Sequence, residues 1–218
     1  MTSVLLCMPC FDGLVHASTM QTAISVVVAL SKLGIETELF TISQESLIPR
    51  ARNVFAARLL KSTHSHALFL DADISVHPCV VARMIQANFP IVCCPYPKKS
   101  SEISFTSAPV NETSIDNWIC EVDHAATGCM LVHRCVFETL KNTATSYLND
   151  IPGYEDHCDN GAFWDFFQVG VKDGRYLSED YGFCNMAKAH GFKIHALIGC
   201  NITHTGRYGF SGRFLGST

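Results

Sequence analysis

With 218 residues, 48% of them hydrophobic and 17% charged, the chain can fill one well-buried domain, or at most two small ones, and is not a disordered polymer. A formal net charge of -4, with no basic run longer than Lys98-Lys99, excludes an electrostatic grip on nucleic acid or anionic lipid. The N-terminal residues lack the basic and long apolar regions of a signal peptide, and no apolar run nears the roughly 20 residues of a membrane helix. Eleven cysteines is an odd number, and most, such as Cys7, Cys93, Cys94, Cys129 and Cys184, lie inside apolar segments. That usage fits reduced, buried thiols and a cytoplasmic location.

Val4 to Met8 reads as a first buried strand, followed by a loop through Pro9-Cys10-Phe11-Asp12-Gly13. Ser18 and Gln21 predict a capping box for a helix over Thr19 to Lys32, with Ile24, Val27, Val28 and Leu30 on its core face and Gly34 ending it. Glu36 to Thr41 is the second strand. Pro49 suits the first helical position of Pro49 to Leu60. The uncharged run Ala67 to Leu70 predicts a third strand, ending in Asp71-Ala72-Asp73. Pro78 starts a helix to Ala87, and Ile91 to Cys94 makes a fourth strand. Strand and helix alternate through residue 97, so the expected class is α/β with a Rossmann-like, mostly parallel sheet flanked by helices.

After Tyr96-Pro97 the pattern changes. Lys98 to Asn117 is polar and rich in Ser and Thr; Trp118 to Val122 and Gly128 to His133 read as strands, and Arg134 to Lys141 as a short helix. Thr143 to Gly161 is expected to be a long loop carrying Glu155, Asp156 and Asp159. Phe163 to Val169 and Lys172 to Leu177 predict a hairpin around Gly170. Ser178 caps a helix to His190, and Lys193 to Ile198 and Asn201 to His204 are the last strands. Residues 206–218 form an expected mobile tail that leads on into a longer polypeptide. The division is thus one domain with a nucleotide-binding half (1–97) and a second half with a smaller mixed sheet (98–205).

Four features carry chemistry. Asp71 and Asp73 sit at a strand's carboxyl end, where open α/β sheets bind ligands, and two such close carboxylates invite a hard divalent cation. A strand-end Asp capping the next helix is the plainer reading. Arg52 and Asn53, in the first turns of the preceding helix, can aim a guanidinium and an amide at a nucleotide, or belong to a solvated face. Ser178-Glu179-Asp180 presents carboxylates at a helix N-terminus, able to serve as a general base or simply to cap. His204, at a strand end, can complete a metal's coordination or be structural. Trp164 is either a sugar-stacking platform or core, and the phenylalanines Phe163, Phe166 and Phe167 read as core. Structural zinc at Cys7-x-x-Cys10 is not expected: Cys120/His124 and Cys129/His133 are possible partner pairs, but Cys7 and Cys10 face opposite ways across a strand end.

Taken in order, these elements resemble a GT-A fold glycosyltransferase. Asp71-Ala72-Asp73 is similar to that family's Asp-x-Asp motif, Ala51-Arg52-Asn53 to the segment contacting the donor nucleotide, Gly128 to a glycine loop near the acceptor, Ser178-Glu179-Asp180 to the x-Glu-Asp motif, and His204 to the C-terminal metal histidine. The overall appearance resembles short glycosyltransferases of large DNA viruses and phages, including a chlorella-virus module. The resemblance implies Mn²⁺ or Mg²⁺ held by Asp73 and His204 with Asp71 in support, and a donor site using Pro9, Cys10, Asp12, Arg52, Asn53, Asp71, Ala72 and Gly128. It implies Asp180 as the base in an inverting transfer, Glu179 orienting acceptor or base, a UDP-linked donor with L-rhamnose a candidate sugar, a glycan acceptor, and the host cytoplasm as location. Lys98, Arg207 and Tyr208 are candidates for diphosphate contact. One departure is that Thr41 and Ser43 stand where many members carry a base-reading acid. A nucleotidyltransferase is the nearest rival but expects a Gly-rich basic loop after the first strand, which Pro9 to Ala17 lacks. A dehydrogenase fingerprint is missing, and a catalytically inactive nucleotide- or sugar-binding module would need no base.

Overall fold

The computed structural model describes residues 1–218 except 101, 112–117, 149–152, 155–160, 207 and 216–218. Along the first strand, β1 (Ser3–Cys10), nearly every residue is buried, which requires cover on both faces of its sheet. The chain continues through α1 (Ala17–Lys32), β2 (Glu36–Ser43), α2 (Ile48–Lys61), β3 (His66–Leu70), β4 (Ile74–Val76), α3 (Pro78–Ala87), β5 (Ile91–Cys93) and β6 (Ile119–Val122). Next come β7 (Cys129–His133), α4 (Arg134–Leu140), β8 (Ser146–Leu148), β9 (Ala162–Trp164), β10 (Gly170–Lys172) and β11 (Arg175–Leu177). The last elements are α5 (Glu179–Ala189), β12 (Ile194–Leu197), β13 (Asn201–Thr205) and β14 (Gly209–Arg213).

A seven-stranded sheet in the order β2-β1-β3-β7-β5-β12-β6 forms the centre. β2, β1 and β3 are parallel, as are β5 and β12, while β7 and β6 run against their neighbours. The sheet is therefore mostly parallel, and β7 from the second half of the chain is threaded between β3 and β5 of the first. Alternation along β1 divides the core in two. Leu5 and Cys7 face Phe55 of α2, Phe137 of α4 and Phe183 of α5, whereas Val4, Leu6 and Met8 face Val26 and Leu30 of α1 and Val80 and Met84 of α3. Phe163, Phe166 and Phe167 are fully buried in the first of these clusters, each contributing on the order of 2–3 kcal/mol of apolar burial.

Several local expectations are corrected. The residue before α1 is His16, so Ser18 lies inside the helix, where its hydroxyl accepts from Ser75 at 2.9 Å instead of capping. The buried face of α1 is Ala23, Val26 and Leu30; Ile24 and Val28 are exposed, because the helix meets the sheet about a third of a turn away from the most apolar stripe. The expected hairpin around Gly170 is displaced. β10 pairs with β11 around Asp173-Gly174, both left-handed, whereas β9, at the start of the first expected strand, pairs with β8 inside the expected long loop. The tail is ordered in part, since β14 pairs with β13, and β13 pairs on its other edge with β4 to make a three-stranded antiparallel sheet. Glu155, Asp156, Asp159 and Arg207 lie outside the described residues.

Candidate functional site

The Asp71-Ala72-Asp73 turn leaves β3 and is tied down by its own backbone. Asp71 N–H donates to Gly128 O, Ile74 N–H closes the turn on Asp71 O, His16 N–H donates to Ala72 O, and Thr205 N–H donates to Asp73 O. Those four bonds connect the end of β3, the start of β7, the start of α1 and the end of β13, so the two carboxylates are presented on a rigid frame. Gly128 is required by that frame. A methyl group there would lie 2.8 Å from Asp71 Oδ2 and collide with the Tyr96 ring. Its role in this structure is close packing beneath the acids.

The two acids have different partners. Asp71 is held by the Arg52 guanidinium, Nη2 lying 3.2 Å from Oδ1 and 3.4 Å from Oδ2. Arg52 is almost wholly buried, and its Nε lies 3.5 Å from Glu179 Oε1. Despite that ion pair, Nε and Nη1 have no hydrogen-bond partner among the described residues. Arg52 also lines the cavity beside the two acids, and a guanidinium there attracts an anion or a polar ligand. Asp71 is thus paired with Arg52 in this structure, next to Asp73 at the same strand end.

Asp73 faces His204. His204 Nε2 is 3.4 Å from Asp73 Oδ2, and His204 Nδ1 donates to Pro97 O at 3.0 Å. Because a carbonyl only accepts, Nδ1 carries a proton and the ring directs Nε2 at the carboxylate. Charged, the ring donates to Asp73; neutral, it offers a lone pair beside a carboxylate, the arrangement in which a divalent ion takes the proton's place. Burial works to raise the Asp73 pKa, but His204 and the Lys99 ammonium overcome it and hold it at about 2. Among the described residues no three His, Cys, Asp or Glu side chains gather as a ready-made metal cage. A carboxylate and an imidazole supply two donors of the right chemistry for Mn²⁺ or Mg²⁺, with the remaining positions open to phosphate oxygens and water.

Beside these acids lies a cavity of about 550 Å³. Arg52, Asp71, Ala72 and Asp73 form its polar end, and Pro9, Phe11, Asp12, Leu14, Val15, His16 and Ile48 its other walls. Phe11 and Leu14 are largely exposed at the rim. Of the residues expected to bind a donor, Pro9, Asp12, Arg52, Asp71 and Ala72 therefore line one cavity. Cys10 does not, because its side chain points into the core with Met8 and Val26. Asn53 is also turned away. Its Nδ2 donates to Asp165 Oδ1 at 3.0 Å, and its Oδ1 accepts from the Phe166 and Phe167 amides, so the side chain is used up holding the turn after β9. Glu45, two residues past β2, is an acid near the base-reading position, but it is consumed by a two-point pair with Arg50 at 2.7 and 2.9 Å and by the Leu47 amide.

At the start of α5 the Ser178 hydroxyl hydrogen-bonds Asp180 Oδ1, which also accepts from the Tyr181 amide at 2.8 Å. Ser178 holds the N-cap position without a side-chain bond to the helix backbone. Glu179 is mostly buried and its pKa is raised, chiefly by burial, with Arg52 opposing. Helix α5 is seated deeply because residue 182 is glycine, where a methyl group would overlap the Gln168 carbonyl. Trp164 lies elsewhere, under the Lys141 ammonium at 4.1 Å, beside a separate cavity of about 190 Å³. Tyr96 was missed in the sequence. It is buried between the Gly128–Asp71 frame and the His204 ring, whose centroid is 5.0 Å away, and burial followed by the Asp71 charge pushes its pKa well up. Its position just past β5, level with the other strand ends, is the signal that could have found it.

No protein-family model and no curated protein sequence matches the chain. Among solved structures it is similar to A197 from STIV, with 18% identity, a TM-score of 0.57, and 94% of this chain and 86% of that one covered. It is also similar to GalNAc-T7, solved with UDP, GalNAc and Mn²⁺, at 12% identity and a TM-score of 0.56, covering 95% of this chain but only 44% of GalNAc-T7. A glycosyltransferase involved in glycosylation of the major capsid of PBCV-1 aligns over 63% of this chain and 62% of its own at 13% identity, with a TM-score of 0.31 that adds nothing to the fold assignment. Sheet order, flanking helices, the small antiparallel sheet and the whole-chain likeness to GalNAc-T7 agree, and the chain has the GT-A type of α/β fold.

Proposed function

We propose that the chain is a metal-dependent glycosyltransferase that moves a sugar from a nucleoside diphosphate donor to a glycan hydroxyl. The observation that carries this reading is that Asp73, paired with His204, and Arg52, paired with Glu179, line one end of a 550 Å³ cavity at the carboxyl ends of β1 and β3. The apolar walls of Phe11, Leu14, Val15 and Ile48 suit a flat base, and the acidic and guanidinium end suits the ribose and diphosphate. The Arg52 charge, at the cavity wall beside Asp71 and Asp73, favours the anionic end of the donor. Asp73 and His204 would hold Mn²⁺ or Mg²⁺, which would supply positive charge to the leaving diphosphate.

The rest of the chemistry belongs to the chain. Asp180, with one oxygen bound by Ser178 and the Tyr181 amide, is fixed in orientation and takes the acceptor hydroxyl proton onto its other oxygen. Attack opposite the departing diphosphate gives inversion. Glu179, paired with Arg52, positions the guanidinium. GalNAc-T7, of the same fold, was solved with UDP, GalNAc and Mn²⁺, which supports a UDP-linked donor here. L-Rhamnose is the sugar to which the sequence resemblance points. The two halves, 1–97 for the donor and 98–205 for acceptor and base, share one central sheet. The reading is tested by calorimetry of UDP with and without Mn²⁺. The expected result is Mn²⁺-dependent binding to the wild type that Asp73→Ala abolishes. Equal, metal-independent binding by both proteins would overturn it.

A further inference from the structure

Asp73 already has a cation. The Lys99 ammonium lies 2.5 Å from Asp73 Oδ2, the same oxygen that faces His204. Lys99 sits in a short tethered loop, with Lys98 N–H donating to Ser104 O at 2.7 Å, Ser100 N–H donating to Lys98 O at 2.9 Å, and Pro97 bridged to Phe105. The lysine stem runs over Gly206 just past β13, where a methyl group would lie 3.2 Å from its Cδ. The absence of a side chain at 206 therefore leaves a seat for the lysine. The same loop supplies Pro97 O, which orients the His204 ring. One segment thus sets the imidazole and neutralises the carboxylate.

We propose that Lys99 is a resident counter-ion of this site, exchanged between two anions. It holds Asp73 while the site lacks a divalent ion, yields that oxygen when the ion binds, and then pairs with the nucleoside diphosphate. A divalent ion and an ammonium cannot share one carboxylate oxygen without strong repulsion at that distance. The lysine side chain is 38% exposed on a flexible four-carbon stem, so it is free to leave. Once displaced, it stands next to Asp73 at the polar end of the cavity, where a bound diphosphate carries more negative charge than one divalent ion offsets. This inference rests on the nucleotide-sugar reading above.

The experiment is titration of Mn²⁺ alone, followed by UDP at saturating Mn²⁺, on wild type, Lys99→Met and Lys99→Arg. Methionine keeps a stem over Gly206 and removes the charge. Loss of the competing ammonium should tighten Mn²⁺ binding by about threefold to fivefold in Lys99→Met, the scale of a partly exposed ion pair, and weaken UDP binding by a similar factor. Lys99→Arg should return both values toward wild type. Unchanged Mn²⁺ affinity in Lys99→Met, with the wild type binding both ligands, overturns the counter-ion role and leaves the enzyme reading standing. A lower melting temperature with both affinities unchanged identifies a plain surface tether and also overturns it. Failure of the wild type to bind Mn²⁺ or UDP removes the underlying reading together with this one.

Discussion

Arg52 Nε and Glu179 Oε1 lie 3.5 Å apart, and the same guanidinium holds Asp71, so one buried cation joins the end of β3 to the first turn of α5. The strand end carries the acids proposed to serve the donor, and the helix carries those proposed to serve the acceptor. Their relative position therefore depends on a side chain from a third element, α2.

Replacing that cation should damage both halves. Arg52→Met leaves two carboxylates without their partner and should cost about 3 kcal/mol of stability, with turnover falling at least ~100-fold. Arg52→Lys keeps the charge, but a point-like ammonium cannot serve Asp71 and Glu179 together, so most stability should return without the activity. Urea denaturation and initial rates check the pair. A wild-type rate in Arg52→Met would remove the bridge from the mechanism.

Asp180 and Glu179 should separate under isosteric change. Asp180→Asn is expected to lower kcat by ~10²–10⁴-fold while UDP affinity stays near wild type, since the amide cannot take a proton. Glu179→Gln should cost less in kcat and disturb donor affinity more, through Arg52. The reverse ranking would exchange the two roles.

Gly128→Ala tests the frame beneath the acids. The added methyl meets the Tyr96 ring and Asp71 Oδ2, so a loss of about 2 kcal/mol is expected, with weakened donor binding in the protein that remains folded. Unchanged stability and affinity would mean that Tyr96 moves aside freely.

His66 should give the fold a pH dependence unrelated to the site. Burial first, and the neighbouring His133 second, lower its pKa from 6.5 to about 4. The two rings meet edge to face with centroids 4.8 Å apart. A base whose pKa is depressed in the folded state binds its proton more readily when unfolded. Stability is therefore full above about pH 6.5 and is lost as pH falls toward 4, by at most about 1.4 kcal/mol per pH unit. Thermal unfolding across that range should show the slope in the wild type and a flatter one in His66→Phe. Equal slopes would place the titration elsewhere.

Much of this molecule was legible one segment at a time. Apolar runs such as Val4 to Met8 and Ala67 to Leu70 become central strands because a fully uncharged stretch can only be buried on both faces, and Pro49 and Pro78 open helices because their missing amides cost nothing there. Asp71 and Asp73 fall at a strand's carboxyl end for the same local reason. Local patterns could not show what each polar side chain would meet. Asn53 and Arg52 are neighbours on one helix, yet only the path of the chain after β9 brings the Phe166 and Phe167 amides to the first and leaves the second facing the cavity. β4, Ile74-Ser75-Val76, is too short to announce itself, and β14 is polar and rich in glycine; they become strands only because β13 passes between them. Periodicity is a property of neighbouring residues, whereas ion pairs such as Lys99 with Asp73 are set by long-range strand pairing, and the sheet order decides which side chains share the site.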